Sequence, residues 1–276
     1  MTTQQHVHPI CFIGAGNMTS AIIRGMVQTG YPANLIMATN PSSAKLHILQ
    51  QELGIQTSTN NADGLAFATY IVLAVKPQML SAVCAALPDV QRQQKSYISI
   101  AAGVSVERIQ GMLGAAVPVV RTMPNTPSSI GMGMTGLFAP QGTPNALCDI
   151  AQYALEQVGK TLWVNNEDDI NTVIAAAGSS PAYLFLLAEA MQTKTQALGF
   201  TASDARILVA QALAGAGAML LAEPETDFAT LRSNVTSKGG TTAQAIESFN
   251  HARLADIVAD AMQAAVDRAQ QMQQEI

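Results

Sequence analysis

Two glycines early in the chain could hold a phosphate group. An apolar stretch, residues 10–13, leads into Gly14, Ala15 and Gly16, and a helical pattern follows. Gly14 permits a tight turn and Gly16 lets the backbone approach a phosphate, while the first amides of the helix face the anion. This order predicts a dinucleotide site. A plain strand–turn–helix is the alternative, since glycine pairs also occur in ordinary turns.

A second glycine-rich turn lies much later, within residues 234–244. Gly239 and Gly240 precede Thr241 and another helical pattern. Such a turn exposes backbone amides at the positive end of a helix, which is typical of a receptor for a carboxylate or a phosphate. An ordinary glycine-rich helix start is the alternative, and the residues alone leave both open.

The segment after the second predicted strand bears on the choice of dinucleotide. In dinucleotide-binding folds, an acidic residue there binds the ribose hydroxyls of NAD. Residues 38–45 contain no carboxylate. Asn40, Ser42 and Ser43 can donate hydrogen bonds to a 2′-phosphate, and Lys45 adds positive charge. We therefore favour NADP(H) over NAD(H), the alternative being a loop and helix cap with no ligand role.

Small residues follow several other predicted strands, where a nicotinamide ring could lie flat against the backbone. They occur in residues 74–77, 100–103 and 121–127, and Asn61 precedes the fourth strand. Lys76 could take part in catalysis, but a lysine at a strand end before a proline is at least as often a positioning or structural group.

The histidines do not indicate metal or nucleophilic chemistry. His6, His8, His47 and His251 fall outside every candidate site, and no spacing suits metal ligands. No G-x-S-x-G motif is present. We expect no metal site, and a reaction that needs little acid–base help, such as hydride delivery to an activated carbon.

The elements that would position these residues alternate between strand and helix in the first part of the chain. This alternation predicts a parallel, doubly wound sheet. The predicted strands are residues 7–13, 35–39, 70–75, 97–101, 118–122, 134–138 and 161–164.

The pattern becomes helical after residue 165. We therefore predict an α/β protein with an N-terminal Rossmann-type doubly wound sheet in residues 1–165 and a C-terminal all-helical domain in residues 166–276. Expected helix starts are Ser180 as an N-cap before Pro181, Ser203 as an N-cap, and a capping box at residues 241–244.

Residues 207–222 are apolar and rich in alanine and glycine. The run is shorter than the roughly 20 residues of a membrane span, so we predict a buried, closely packed helix and no membrane association. Alanine-rich faces bury poorly in a lone small domain, so we also expect a dimer formed through the helical domain.

The composition limits the class of protein. With 276 residues, of which 49% are hydrophobic and 12% charged, the chain has material for two domains and a large core. A net charge of −5 argues against a nucleic-acid partner. Three scattered cysteines, and the lack of an apolar signal core around Met1–His8, lead us to expect a cytoplasmic protein with reduced thiols.

Taken together, these motifs resemble those of the pyrroline-5-carboxylate reductase family, the last enzymes of proline synthesis, over nearly the whole chain. The motifs in residues 178–183 and 237–242 are far more specific than the nucleotide turn. The matching segments are Phe12–Met18, Ala74–Pro77, Ser99–Gly103, Met123–Pro127, Gly178–Tyr183 and Ser237–Thr242. Two departures are Thr19, where a small Ala or Gly is usual, and Lys238, where proline is expected.

The resemblance implies a Rossmann domain, a helical dimerisation domain and homodimers that often assemble into decamers. It implies that NADPH reduces the cyclic imine of pyrroline-5-carboxylate to proline. The implied substrate contacts are Asn234 and the amides of Gly239, Gly240 and Thr241, with the catalytic Thr242 hydroxyl reaching the imine nitrogen. The implied cofactor contacts are Ile13, Gly14, Ala15, Gly16, Asn17, Met18, Asn40, Asn61, Ala74, Val75, Lys76, Pro77, Ile100, Ala101 and Ala102.

Two other classes compete with this interpretation. The β-hydroxyacid dehydrogenases also join a Rossmann domain to a helical one, but they use a helix-borne lysine that residues 178–186 do not supply. A protein that senses NADP without turnover is the non-enzymatic alternative, which a degraded turn at Gly239–Thr242 would have favoured.

Overall fold

The computed structural model describes residues 7–275. The expectations about Met1–His6, including His6, lie outside the described residues. One eight-stranded sheet has the order β3-β2-β1-β4-β5-β6-β7-β8. Its strands are β1 (Ile10–Ile13), β2 (Ile36–Thr39), β3 (Gln56–Ser58), β4 (Tyr70–Leu73), β5 (Ser96–Ser99), β6 (Val119–Met123), β7 (Gly133–Phe138) and β8 (Gly159–Trp163).

Strand direction separates two parts of the sheet. β1–β6 are all parallel and follow the order 3-2-1-4-5-6 of dinucleotide-binding folds, which confirms the doubly wound prediction. The expectation that the later strands continue this parallel arrangement was wrong, because β7 runs antiparallel to β6 and β8 is parallel to β7. Residues 124–132 join β6 to β7, and a connection that short cannot make a parallel crossover.

Helices cover both faces of the sheet, so the inner strands read as continuous apolar runs. In β1, Ile10 and Phe12 belong to one buried cluster, and Cys11 and Ile13 belong to the other. The helices that surround the sheet are α1 (Asn17–Gln28), α2 (Ser43–Leu53), α3 (Asn61–Phe67), α4 (Pro77–Ala85), α5 (Asp89–Arg92), α6 (Val106–Leu113) and α7 (Asn145–Glu156), with 3₁₀ turns at Ala33–Leu35 and Thr126–Ile130.

The strand order reverses between β1 and β4, and open α/β sheets bind ligands at the carboxyl ends of the strands beside such a point. Ile13, at the end of β1, lies in register with Thr39 of β2 and with Leu73 of β4. The segments that follow these strands therefore begin side by side.

The remaining helices are α8 (Asp169–Val173), a π-helical turn (Ile174–Gly178), α9 (Ser180–Ala197), α10 (Ala202–Ala222), α11 (Phe228–Asn234), α12 (Thr241–His251) and α13 (Leu254–Glu275). By residue contacts the described chain divides into one unit of residues 7–179 and 265–275 and a helical unit of residues 180–264. The domain boundary that we place near residue 165 stays a prediction.

Helices begin within two residues of all three predicted starts, but the predicted capping residues were wrong. Ser180 is not an N-cap, because it is already the first residue of α9, which follows the π-helical turn after the single bend residue Ser179. Thr201, rather than Ser203, caps α10, and its side chain accepts from the amide of Asp204. The N-cap of α12 is Gly240, which has no side chain to complete a capping box.

The prediction that residues 207–222 form a buried helix was also wrong for the single chain. α10 buries Ala205 and Val209 but exposes large residues such as Ile207 and Leu221. In the described part of the chain, two helices, Asp169–Ala197 and Ala202–Ala222, are long and apolar enough to span a membrane by length and composition alone.

Candidate active site

The turn after β1 has the backbone of a phosphate cradle. Gly14 has φ +110°, and its amide donates to Thr39 O at 2.8 Å. A Cβ at Gly14 would lie 2.5 Å from Ala74 O, so the chain's own packing requires this glycine.

Gly16 differs, because nothing in the chain's own structure requires a glycine there. It is the N-cap of α1 with φ −79°, and within the described residues no heavy atom lies within 4 Å of the position of an added Cβ. The first amides of α1 beside it have no acceptor inside the helix. Open space next to free amides fits the close approach of a pyrophosphate.

Two asparagines lie beside this turn, Asn40 in the loop after β2 and Asn61 at the start of α3. Asn40 Oδ1 accepts from the Ala15 amide at 3.4 Å, and its Nδ2 donates to Ser42 O at 3.1 Å. Asn61 Oδ1 accepts from the Thr39 hydroxyl at 2.7 Å. Asn40 therefore joins the phosphate turn to the start of α2.

A cavity of about 510 Å³ runs along α1 and includes part of the predicted cofactor set. It shares Ala15 and Asn17 with that set, and it is also lined by Lys45 from the first turn of α2 and by Arg24. Arg24 is held by Glu52 at 2.5 Å, which leaves Lys45 as the lining cation without such a salt bridge among residues 7–275. Positive charge therefore lies near the end of β2.

The ends of β4 and β5 supply backbone rather than reactive side chains. Lys76 is the N-cap of α4, Pro77 opens that helix, and Lys76 O accepts from the Met79 amide at 2.8 Å. The Ile100 amide donates to Leu73 O at 3.2 Å, so the two strand ends lie together. Ala101 and Ala102 add only methyl groups.

Thr19, the departure from the nucleotide fingerprint, is buried in α1. Only 1% of the residue is exposed, and within the described part of the chain its Oγ1 has no hydrogen-bond partner. The helix packs closely despite the larger side chain, at the cost of an unpaired hydroxyl.

The second glycine-rich turn lies in the helical unit and opens α12. Gly239 has φ +71°, and a Cβ at Gly240 would collide with Ser237 Oγ, so turn geometry accounts for both glycines. The first hydrogen bond of the helix runs from Gln244 N to Gly240 O at 3.3 Å, which leaves the amides of Thr241 and Thr242 without an acceptor in the helix.

The Gly240 amide of this turn already has an acceptor. It donates to Ser237 O at 3.0 Å. Asn234, which we also predict to contact substrate, is the last residue of α11 and is exposed. The roles of Asn234, Gly239, Gly240, Thr241 and Thr242 stay predictions.

The predicted residues thus fall into two groups, one in each unit. The cofactor set lies at the carboxyl ends of β1, β2, β4 and β5, and the substrate set lies around the start of α12. Among residues 7–275, no three side chains of His, Cys, Asp or Glu lie together as metal ligands would.

Two buried polar groups lie in the candidate segment of residues 121–127, and their hydrogen-bond partners were not predicted. Arg121 on β6 is 1% exposed and pairs with Glu167 at 3.0 Å. Asn125 accepts from the Met134 amide at 2.9 Å and donates to Ala177 O at 3.0 Å. Arg121 lies within predicted strand 118–122, where a charged side chain in an apolar run was the available signal, whereas Asn125 follows that strand between two prolines.

Comparison with known proteins identifies related chains over both parts of the sequence. Residues 9–103 match a family model described as coenzyme F420-dependent NADP oxidoreductase, and residues 167–272 match one described as pyrroline-5-carboxylate reductase dimerisation. The pyrroline-5-carboxylate reductase of Vibrio alginolyticus is 52% identical over 264 residues, which cover 96% of this chain and 97% of that protein.

Comparison with solved structures also finds pyrroline carboxylate reductases. A pyrroline-5-carboxylate reductase from Coxiella burnetii is 39% identical with a TM-score of 0.87, covering 96% of this chain and 98% of that one. The Plasmodium falciparum pyrroline carboxylate reductase, solved with NADP bound, has the same fold at 23% identity, with a TM-score of 0.85 over 97% of this chain and 99% of that one. The chain belongs to the pyrroline-5-carboxylate reductase family.

Proposed function

We propose that the chain catalyses the reaction of its family, the reduction of 1-pyrroline-5-carboxylate to L-proline with NADPH. The observation that carries this proposal is its near full-length similarity to curated reductases of that name. A cyclic imine that is already protonated accepts hydride directly, so positioning and charge placement can supply most of the catalysis. This agrees with a candidate site that offers backbone amides and hydroxyls.

The residues at the carboxyl edge of the sheet would hold the cofactor. The open space at Gly16 and the amides at the start of α1 suit the pyrophosphate. Ala74–Pro77 and Ile100–Ala102 would border the nicotinamide with backbone and small side chains. NADPH, once bound, supplies the hydride.

NADP(H) rather than NAD(H) is the proposed cofactor. No carboxylate follows β2 to repel a 2′-phosphate, and Asn40, Ser42, Ser43 and Lys45 offer donors and positive charge. The NADP bound to the Plasmodium relative supports the same choice. We expect kcat/KM for NADPH to exceed that for NADH by at least about tenfold, and equal values would contradict this assignment.

The start of α12 would bind the substrate carboxylate. The amides of Gly239 and Thr241 would donate to it at the positive end of the helix. The Gly240 amide would share its hydrogen between Ser237 O and the carboxylate. Asn234 would contribute from the neighbouring end of α11.

Thr242 would act on the imine nitrogen. Its hydroxyl, one residue into the helix beyond Thr241, would orient the nitrogen or pass it a proton directly or through water. Lys76, as the N-cap of α4, is assigned a positioning role. Neither role requires a metal.

The helical unit is proposed to form a homodimer, with dimers assembling further into decamers in the cytoplasm. The apolar side chains that α9 and α10 expose, such as Phe185, Leu186 and Leu221, are assigned to subunit contact rather than to lipid. Sedimentation of the purified protein tests this, and a stable monomer would refute it.

The activity is tested by mixing purified protein with NADPH and pyrroline-5-carboxylate and following absorbance at 340 nm. The proposal predicts substrate-dependent loss of absorbance. A parallel reaction with NADP⁺ and a 2-hydroxy acid tests the β-hydroxyacid dehydrogenase alternative. Turnover only in the second reaction, or cofactor binding with no turnover in either, would overturn the proposal.

A further inference from the structure

The last turn of α13 packs against the loop that joins β5 to α6, residues 100–105. Gly103 in this loop has φ +72°, and the Cβ and Cε atoms of Met272 lie 3.1 and 3.4 Å from the position of a Cβ at Gly103. Arg108, in the first turn of α6, donates from Nη2 to Gln274 O at 3.1 Å. Two consecutive contacts therefore link the end of α13 to the loop and to the helix that follows it.

Between Met272 and Gln274, the side chain of Gln273 reaches the buried Arg121. A guanidinium group only donates hydrogen bonds, so the amide oxygen of Gln273 must face it. In that orientation Oε1 accepts from Nη1 and Nη2 of Arg121 at 3.0 and 3.1 Å. The guanidinium thus has a neutral acceptor from α13 besides the carboxylate of Glu167.

Glu167 links Arg121 to the end of the loop at which α6 begins. Its Oε1 accepts from Arg121 Nη1 at 3.0 Å and from the Val106 amide, at the first position of α6, at 2.8 Å. A carboxylate at a helix start is stabilised by the free amides there. Arg121 and Glu167 therefore hold the point at which the loop enters α6.

The near end of the loop is held by the same strand that carries Arg121. Arg121 lies in register with Ser99, the last residue of β5. The hydroxyl of Thr122 donates to Ser99 O at 2.9 Å, and Ser99 Oγ accepts from the Ala101 amide at 3.3 Å. Both ends of the loop are therefore held by β6 and its buried cation.

We propose that Gln273 is a positioning residue for the reaction, which keeps Arg121 and Glu167 in place and so holds the loop of residues 100–105 in the conformation that receives the nicotinamide. This rests on the proposed assignment of Ile100–Ala102 to the cofactor. Gln273 itself touches neither cofactor nor substrate in this account. Its removal leaves part of a buried guanidinium without an acceptor, and the loop gains freedom.

The test compares Gln273→Met with Gln270→Met, a matched substitution at an exposed position of the same helix. We expect Gln273→Met to raise KM for NADPH about threefold to tenfold, while KM for pyrroline-5-carboxylate stays within about twofold. Without cofactor, amide hydrogen exchange across residues 100–108 should become faster in Gln273→Met and not in Gln270→Met. Gln273→Glu keeps an acceptor for Arg121. Its KM for NADPH and its hydrogen exchange across residues 100–108 should therefore lie closer to those of the wild type than the values for Gln273→Met.

Unchanged loop exchange in Gln273→Met, or equal increases in KM for both substrates, would overturn the proposal. If Gln273→Met does not fold, Gln273→Asn, which withdraws the amide by one methylene, is measured in the same way with the same expected signs. If the wild type has no reductase activity, the proposed function is refuted. The hydrogen-exchange result still tests the role of Gln273 in the loop, because that measurement needs no turnover.

Discussion

Asn125 donates to the carbonyl oxygen of Ala177 at 3.0 Å, at the place where a proline interrupts the helical hydrogen bonds. In an α-helix the amide four residues on would donate to that carbonyl, but residue 181 is proline and has no N–H. The π-helical turn Ile174–Gly178 and the Asn125 side chain together let the helix continue through this point.

Replacing Asn125 with alanine should therefore destabilise the protein. Asn125 is 8% exposed, and its loss would remove the hydrogen bond to Ala177 O and leave the Met134 amide without its Asn125 acceptor. We expect the free energy of unfolding to fall by about 1–3 kcal/mol, measured by urea denaturation. The exposed Asn145→Ala is the control, with a change within about 0.5 kcal/mol. Equal effects in the two variants would show that the Asn125 contacts contribute nothing.

The two glycines of the phosphate turn should respond differently to alanine. Gly14→Ala should lower stability, because φ is +110° and the new Cβ would meet Ala74 O. Gly16→Ala should keep the free energy of unfolding within about 1 kcal/mol yet raise Kd for NADPH at least about tenfold, because its methyl group would occupy the pyrophosphate's space. Fluorescence titration measures Kd for NADPH in the wild type and in Gly16→Ala. Wild-type affinity in Gly16→Ala would remove this turn from the cofactor site.

Thr19→Val should stabilise the protein. It replaces a buried hydroxyl that lacks a partner in the described structure with a methyl group of the same shape. We expect a gain of about 1 kcal/mol in the free energy of unfolding. Thr19→Ser, which keeps the hydroxyl and loses the methyl group, should be less stable than the wild type. A less stable Thr19→Val would mean that the hydroxyl has a partner, such as a bound water.

Thr242→Ala should lower kcat by one to three decades, the scale expected for the loss of one positioned donor. Steady-state kinetics with NADPH and pyrroline-5-carboxylate measures this. Thr242→Ser keeps a hydroxyl and should retain more activity, and Thr69→Ala, at an exposed position just before β4, should behave as wild type. Near-normal turnover in Thr242→Ala would remove this residue from the mechanism.

Stability should fall at alkaline pH. Burial raises the pKa of the Cys11 thiol from 9.0 to about 12, that of Cys84 to about 11, and that of the Tyr31 hydroxyl to about 12. The folded state therefore keeps protons that the unfolded chain releases above about pH 8.5. Their contribution is complete below that pH and is lost as the pH rises toward the folded values.

Urea midpoints measured from about pH 8 to about pH 10.5 should decline above about pH 9, by up to about 1.4 kcal/mol per pH unit for each group. Cys84→Ala removes one of these groups and should make the decline shallower. A flat profile across the whole range would show that the buried thiols lose no protons on unfolding.

The features of the fold that could be predicted from the sequence were those encoded by neighbouring residues. The turn at Gly14–Gly16 was predictable because a strand, two glycines and a helix follow one another directly. The alternation of strands and helices did not predict the direction of β7, which follows instead from the short connection of residues 124–132. Ser180 and Pro181 carry the usual signal of a helix start, and neither the π-helical turn before them nor the distant Asn125 side chain is visible in that local pattern.

The sequence also did not predict which apolar helix surfaces remain exposed in the single chain. The apolar pattern of α10 predicts that its surface is covered, but it does not say whether the same chain or another molecule covers it. The buried Arg121 likewise sits in an apolar strand without its partners Glu167 and Gln273 nearby in sequence. The candidate site residues came from family motifs rather than from periodicity, because such motifs reflect ligand contacts rather than packing, and their roles stay predictions.

The proposed function depends on the amides at the start of α12 binding the substrate carboxylate while Thr242 faces the ring nitrogen. A crystal structure of the chain with NADP⁺ and proline tests it most directly. We expect the proline carboxylate within hydrogen-bond distance of the amides of Gly239 and Thr241, with the ring nitrogen beside the Thr242 hydroxyl. Proline bound elsewhere, with water alone at that turn, would contradict it.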